Sequence, residues 1–205
     1  MGSTTRGGPR PWVRATIVAV GTLTLTAAAV GGGLWWAGDD PDEPHGDDVH
    51  TAAPSCATVP EEAIAEAVPG AVLESTEQGP LAGGENTACV WTSAGLTDDV
   101  QGVLRVDLSA RFTDASAEPV VSGEQSAADA RSATVPARGE VLDLESGIDG
   151  EVWRGQVPGT AELAFHTDNL LVRVSYTGVS DGGPVPFGEA RDTTVAFADR
   201  LWEAL

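Results

Sequence analysis

A single uncharged segment near the start of the chain constrains the architecture more than any other feature. Residues 13–37 read VRATIVAVGTLTLTAAAVGGGLWWA, and no charged side chain occurs between Ala15 and Ala37. At about 1.5 Å per residue, a helix over this run is long enough to cross a hydrocarbon core roughly 30 Å thick. Backbone amides in lipid must bond within their own segment, as they do in a helix. The segment therefore predicts a transmembrane helix over residues 13–37.

The charges on either side of this segment predict its orientation. Arg6, Arg10 and Arg14 lie at its N-terminal end, whereas the first acidic residue is Asp39. Arginine next to a membrane span stays on the cytoplasmic side. We therefore expect residues 1–12 to form a short cytoplasmic tail. The main domain is then extracytoplasmic and attached to the cell membrane by a single pass.

A cleaved signal peptide is the alternative interpretation of the same segment. It has a basic start, an apolar stretch and an Ala27-Ala28-Ala29 site of the A-x-A type. The uncharged run continues beyond that site through Trp35 and Trp36, and tryptophan is favoured at the membrane interface. This continuation favours a retained anchor. Cleavage would instead give a secreted protein, so both interpretations place the main domain outside the cytoplasm.

The remainder of the chain is strongly acidic. The 205 residues include 31 acids, 11 arginines and no lysine, for a net charge of −20. Beyond residue 37, the 31 acids face only eight arginines, a net charge of −23. Binding to nucleic acid requires a basic surface that displaces counterions from the phosphates. A nucleic-acid partner is therefore not expected.

An acidic linker is predicted directly after the membrane helix. Residues 38–54 contain six acids and three prolines, with Val49 as the one large apolar residue. Such a composition buries too little surface to offset the entropy lost when a chain is ordered. We therefore expect a disordered, solvated spacer. A weak metal site at His45 and His50 is the less favoured alternative.

Residues 55–205 have the pattern of one α+β domain. Apolar and polar residues alternate from Val100 to Phe112, which is typical of a strand with one buried face. Asp168-Asn169 is a favoured turn pair between two further strands. Successive hairpins with few helices predict an antiparallel sheet with helices packed on one face. Predicted helices span residues 58–68, with Thr58 as the capping hydroxyl, 124–133, with Ser122 as the cap in a capping box, and 188–205. The other predicted strands span residues 71–75, 86–92, 140–144, 151–156, 161–166 and 170–177, with loops at 78–85 and 95–99.

Two cysteines predict one structural disulfide. Cys56 and Cys89 both lie beyond the predicted membrane helix, in a compartment where disulfides persist. A redox-active pair would need a C-x-x-C motif, which the sequence lacks. A bridge between these residues would stabilise the domain by roughly 3–4 kcal/mol in the chain-entropy model.

Sequence motifs for catalysis are absent. The chain lacks G-x-S-x-G, H-E-x-x-H, a phosphate-binding glycine loop and a calcium loop, so no cofactor is predicted. His166 is the only histidine of residues 55–205, which leaves triads and multi-histidine metal sites little to build on. Four acids form a weak candidate site for a cation with oxygen ligands, and these are Asp143, Glu145, Asp149 and Glu151.

Trp91 and Trp153 are the remaining candidates for a binding site. Each lies in a predicted strand, where we expect a core side chain whose indole N–H bonds to a backbone carbonyl. A ligand groove lined by both tryptophans is the alternative, and it would place the binding site on the sheet.

These features favour a membrane-anchored extracytoplasmic binding, sensing or accessory module of the cell envelope, without enzymatic activity. The membrane is its expected partner, and an envelope protein is a candidate second partner. A carboxylate-dependent envelope hydrolase is the first alternative, because the separation of carboxylates in space cannot be read from sequence. The second alternative is a purely structural subunit of an envelope complex, which would expose a large apolar patch.

The chain also resembles an actinobacterial family of exported lipoproteins and membrane-anchored proteins that is classed as a domain of unknown function. The resemblance covers residues 55–205 and implies an envelope-facing α+β domain with a disulfide, but no activity. The chain departs from the family in having a membrane helix where many members have a lipid-modified cysteine. The matching features are Cys56 before a short helix, the strand Cys89-Val90-Trp91, the alternating strand that ends at Arg111-Phe112, the glycine and acidic–aromatic turn of Gly147–Trp153, the hairpin at Asp168-Asn169 and a terminal helix rich in Ala and Leu.

Overall fold

The computed structural model describes four stretches of the chain, residues 41–93, 100–145, 147–180 and 183–205. The predicted cytoplasmic tail, the membrane helix over 13–37 and the turn at 95–99 lie outside these residues. Within the described stretches, no helix is both long enough and apolar enough to span a membrane.

The described residues form one antiparallel sheet of eight strands. These are β1 (Val72–Leu81), β2 (Gly84–Thr92), β3 (Val100–Arg111), β4 (Glu140–Asp143), β5 (Asp149–Arg154), β6 (Thr160–Thr167), β7 (Leu170–Ser180) and β8 (Gly183–Pro184). Their order across the sheet is β1-β2-β3-β7-β6-β5-β4, and β8 pairs with β7. Two meanders, β1 to β3 and β4 to β7, therefore meet where β3 pairs with β7.

The alternation of β3 separates a core face from a polar face, as predicted. Leu104, Val106 and Leu108 are each 0% exposed. Arg105, which lies between the first two of them, is exposed. Successive side chains of a strand point to opposite sides of the sheet, so this alternation assigns every second residue to the core. The partners of β3 in β2 and β7 extend the same two faces across the sheet.

The first strand is longer than predicted, and the predicted loop over 78–85 is wrong. Residues Val72–Leu81 pair with β2 up to a tight turn at Ala82 and Gly83. Gly83 has φ of +67°, a conformation that glycine adopts without steric cost. Because β1 is an edge strand exposed along most of its length, its sequence lacks the alternation that marks a half-buried strand.

Three α-helices occur in the described residues, and their order along the chain agrees with the prediction. They are α1 (Glu61–Ala67), α2 (Gly123–Thr134) and α3 (Phe187–Trp202). The Ser122 side chain accepts a hydrogen bond from the N–H of Gln125 at 3.1 Å, which confirms the predicted N-cap of α2. Thr58 does not cap α1, because a 3-10 turn over Cys56–Thr58 places Pro60 at the N-cap position.

The prediction that all helices pack on one face of the sheet is wrong. Helices α1 and α3 contribute Ile64, Phe197 and Leu201 to the hydrophobic core. Helix α2 lies on the opposite face, where its Arg131 is 3.4 Å from the carboxylate of Glu151. This second face of β6 and β7 also carries buried apolar residues, Ala164 and Leu171, so it needs a cover of its own.

The predicted disulfide between Cys56 and Cys89 is present. The two Cα atoms are 5.8 Å apart, within the ordinary range for a bridge. Cys89 lies on the core face of β2 and is completely buried. The disulfide therefore joins the entry of α1 to the sheet from inside the core.

Residues 41–54 pack against the sheet, which corrects the prediction of a disordered spacer for this part of residues 38–54, whereas residues 38–40 lie outside the described residues. We call these residues the N-terminal strap. The buried carboxylate of Asp48 accepts hydrogen bonds from the N–H and hydroxyl of Thr113 at 3.1 and 2.8 Å. Asn169 bonds to both the N–H and the C=O of His50, at 2.8 and 2.9 Å. Composition predicted too little apolar burial, but polar groups of the domain hold the strap instead.

Candidate functional site

The face of the sheet opposite the core carries an open groove of about 770 Å³. We call it the polar groove. Strands β1, β2, β3, β6 and β7 form its floor, and Thr134 at the end of α2 forms part of its wall. Its volume lies within the range of about 300–1,000 Å³ that is common for ligand sites. The charged and amide side chains that define it are Glu77, Asn86, Arg105, Asp107, Arg111, Glu162 and Arg173.

The register of the sheet brings these side chains together. Asp107 of β3 lies directly opposite Arg173 of β7. Ser175 of β7 lies opposite Arg105 on one side and Glu162 on the other. Directly opposed residues of antiparallel strands project from the same face. The polar residues of three neighbouring strands therefore form one continuous surface.

Two of the three arginines in the groove are held by carboxylates. The guanidinium of Arg105 donates to both oxygens of Asp107, at 2.9 and 2.7 Å. This hydrogen bond raises the pKa of Arg105 above its ordinary value. Arg173 donates from its Nη2 group to a single carboxylate oxygen of Glu162. The ion pairs fix four side chains in a row of alternating charge along the floor of the groove.

Arg111 is the third arginine, and no carboxylate of the described residues pairs with it. Its Nη1 group donates to the carbonyl of Ala82 at 3.4 Å, while its buried Nε has no hydrogen-bond partner in the part of the chain that the structure describes. Burial lowers the pKa of Arg111, because a partly dehydrated cation loses favourable contact with water. The end of the groove thus contains a positive charge that no carboxylate of the described residues pairs with.

Asn86 and Ser109 lie beside Arg111 on the same face. Ser109 is opposite Asn86 in the β2–β3 ladder, and its hydroxyl bonds to the amide oxygen of Asn86 at 2.6 Å. With that oxygen occupied, the NH2 group of Asn86 remains as a donor at the groove. The end of the groove therefore combines a guanidinium with a neutral hydrogen-bond donor.

The structure does not bring the two predicted groove tryptophans together. Trp91 shares the core face with Leu104 and Tyr176, whereas Trp153 lies opposite Glu162 on the other face. Both are buried, at 5% and 6% exposed. Three strands separate β2 from β5. A shared groove of Trp91 and Trp153 is therefore ruled out by the register.

The four acids of the candidate cation site are dispersed as well. Asp143 and Asp149 are opposed in the β4–β5 hairpin, but Glu151 pairs with Arg131. The N–H of Glu145 donates instead to Asp199 of α3. Within the described residues, no group of three His, Cys, Asp or Glu side chains is arranged to hold a metal ion, His45 and His50 included.

His166 lies on the polar face beneath α2. Burial is the main cause that lowers its pKa, and the positive charge of Arg131 adds to the effect. Glu124, Glu151 and Asp149 act in the opposite direction. Its buried Nδ1 has no hydrogen-bond partner in the described part of the chain. His166 is thus partly buried, and its neutral form is favoured.

A second, acidic cleft of about 530 Å³ lies at the end of α3. Burial raises the pKa of Asp199 in this cleft, and the neighbouring charges of Glu145 and Glu203 add to the rise. The backbone N–H of Glu145 opposes it by donating to Asp199. This arrangement places one carboxyl group with an elevated pKa among further carboxylates.

Sequence reasoning missed the charged residues of the polar groove, although their signal was present. Arg105, Asp107 and Arg111 occupy alternate positions of β3, and Arg173 occupies the corresponding face of β7. The alternation identified them as the solvent face of each strand. What the sequence does not contain is the β3–β7 pairing, which joins residues about 65 positions apart into one surface.

Comparison with known proteins adds no relative. The chain matches no protein-family model, and searches of curated proteins and of solved structures returned no match. The resemblance to the actinobacterial family therefore stays a prediction, and the proposals below rest on the geometry of the domain.

Proposed function

We propose that this protein is a membrane-anchored extracytoplasmic binding module whose ligand occupies the polar groove. The predicted helix over residues 13–37 supplies the anchor. The distribution of arginine carries the proposal: three of the eight arginines beyond residue 37 line this one groove. The groove also contains three acids, Glu77, Asp107 and Glu162, of which only Asp107 and Glu162 pair with an arginine of the groove, whereas the whole region beyond residue 37 has a net charge of −23.

The rigidity of the floor supports the same proposal. The other sides of β3 and β7 are fully packed against the core, so their backbones are fixed. The Arg105–Asp107 and Arg173–Glu162 pairs then restrict the side chains before any ligand arrives. Preorganised polar groups lower the entropy that binding costs. A groove built in this way suits recognition of a polar ligand.

Site-specific photocrosslinking tests this proposal. A photoreactive phenylalanine derivative replaces Ser175 at the centre of the groove in the full chain, which is expressed in its own membrane and purified through a C-terminal tag. The matched control places the same group at Ser132, an exposed serine of α2 outside the groove. We expect an adduct from position 175 and none from position 132. Equal labelling at both positions, or none at either, would contradict a ligand in the groove.

The same preparation tests the anchor. A retained helix gives an intact mass near 21.0 kDa in the membrane fraction, apart from the tag. Cleavage after Ala29 would remove residues 1–29 and release the domain from the membrane. A truncated, soluble product would therefore show that the protein is secreted and is not anchored in the membrane.

The acidic cleft favours a hydrolase as a second candidate function. A general acid needs a carboxyl group that retains its proton near the working pH, and burial raises the pKa of Asp199 in that direction. Glu145 or Glu203 would then be the second carboxylate. If purified protein hydrolyses an envelope glycan, Asp199→Asn must abolish the activity and Asp192→Asn, an exposed change on the same helix, must leave it intact. Turnover that survives Asp199→Asn would exclude this site.

A further inference from the structure

We infer that the Arg111 end of the polar groove binds a single oxyanion, a carboxylate or a phosphate, carried on a polar body rich in hydroxyl or amide groups. This inference rests on the proposed function and specifies the class of its ligand.

Arg111 differs from the other two arginines of the groove. Arg105 and Arg173 each have a carboxylate partner inside the groove, whereas the Arg111 side chain bonds, among the described residues, only to the carbonyl of Ala82. A partly buried cation without a counterion is unfavourable, and an anionic ligand would compensate it. The guanidinium is also the side chain whose planar donors match the two oxygens of a carboxylate or phosphate.

The position opposite Arg111 in the β2–β3 ladder must lack a side chain. Gly84 of β2 is its partner in the ladder, and a Cβ atom there would lie 2.1 Å from the carbonyl oxygen of Ala110. The backbone therefore requires glycine, and no side chain can extend from this position over the guanidinium.

The donors and the charge of the domain also restrict the charge of the ligand. Asn86 adds an NH2 donor beside Arg111, so two residues donate toward the same end of the groove. Further along, the two ion pairs present alternating donors and acceptors that suit hydroxyl and amide groups. The domain carries a large negative charge, which repels polyanions over a distance of about a Debye length. One anionic group on an otherwise neutral body therefore fits better than a polyanion.

Three sugars with the same ring provide a direct test. Glucose is the neutral control, D-glucuronate adds a carboxylate, and glucose 6-phosphate adds a phosphate. Each is titrated at constant ionic strength into the full chain, in which arginine is labelled with ¹⁵N for detection of the Nε–H groups. We expect the Nε–H signal of Arg111 to shift saturably with at least one of the two anions and to stay unchanged with glucose. The stronger anion identifies the source of the oxyanion.

Two substitutions complete the experiment. Arg111→Gln should weaken binding of the preferred anion at least about tenfold. Arg138→Gln removes an exposed arginine that has no carboxylate partner within the described residues and lies outside the groove, and it should change affinity less than about twofold. Folding of both variants is checked by thermal unfolding. Arg111→Gln removes an uncompensated charge, so its melting temperature should not fall.

The outcomes separate this inference from the proposed function. Equal binding of the anions by wild type and Arg111→Gln, or no saturable shift with either anion, would overturn the oxyanion site. If photocrosslinking from position 175 still yields an adduct, the groove binds a neutral ligand and only the inference fails. A saturable Arg111 shift without any adduct would instead support the anion site and contradict the proposed function.

Discussion

The two faces of the sheet are built from the same strands, but one face forms the core and the other forms the polar groove. On β3, Leu104, Val106 and Leu108 face the core and have no exposed surface, whereas Arg105 and Asp107 between them face the groove as an ion pair. The core face depends on volume and packing. The properties of the groove face depend on the positions of its charged side chains. The comparison shows how packing on one face fixes the backbone that holds polar side chains in place on the other.

The largest expected effect lies in the covalent link on the core side. Reduction of the Cys56–Cys89 bridge, which closes a separation of 33 residues, should lower the free energy of unfolding by about 3–4 kcal/mol. Denaturation by urea with and without a reductant measures it, with the Cys56→Ser/Cys89→Ser double variant as the control for reductant effects. A loss below about 1 kcal/mol would show that the packed core alone holds α1 on the sheet.

The second prediction sets the two faces against each other at adjacent residues. Leu108→Ala removes a fully buried side chain and should cost about 3 kcal/mol of unfolding free energy. Asp107→Asn breaks the partly exposed ion pair with Arg105 and should cost less than about 1 kcal/mol. Denaturant unfolding of the two variants compares them directly. Similar losses would mean that the polar face contributes to stability as much as the core does.

The third prediction sharpens the comparison at the end of the sheet, where the N-terminal strap is attached. Asn169 is 2% exposed, and its amide bonds to His50 and to the carbonyl of Arg111. Asn169→Ala leaves these backbone groups unpaired and should lower the free energy of unfolding by about 2–3 kcal/mol. Asn86→Ala, the control in the groove, should cost no more than about 1 kcal/mol. Faster proteolysis within residues 41–54 of the Asn169 variant would identify the strap as the part released.

The smallest effect concerns pH on the polar face. Because burial lowers the pKa of His166, the unfolded chain takes up a proton below its ordinary pKa while the folded protein does not. The contribution of His166 to the free energy of unfolding is therefore fully present above about pH 6.5. It is lost as the pH falls from there toward the lowered pKa of the folded protein. Melting temperatures between about pH 7.5 and pH 5 should fall less for His166→Gln than for wild type. Parallel curves for the two proteins would contradict this account.

Sequence alone predicted the features that depend on local pattern. The alternation of Val100–Phe112, the Ser122 cap, the Asp168-Asn169 turn and the disulfide all follow from spacing or residue chemistry, and the structure contains each of them. The features it missed depend on distant partners. Asp48 is held by Thr113, and nothing within residues 38–54 indicates that partner.

The candidate site was missed for the same physical reason. A strand shows which of its residues face solvent, but its neighbour in the sheet decides whether those residues meet others of useful charge. Trp91 and Trp153 were candidate partners by residue type. The register places them on opposite faces of the sheet, because Trp91 lies opposite Leu104 and Trp153 lies opposite Glu162. Arg111 and Arg173 became part of one groove through the β3–β7 ladder.

An occlusion experiment tests the central claim, that the polar groove is the ligand site, most directly. The photoreactive group is placed at Thr134, on the wall of the groove, and Ser175 on its floor is replaced by tryptophan to fill the space. The account predicts that the adduct formed from position 134 is lost in Ser175→Trp and retained in Ser132→Trp, the matched change outside the groove. An adduct that persists unchanged when the groove is filled would show that the ligand binds elsewhere.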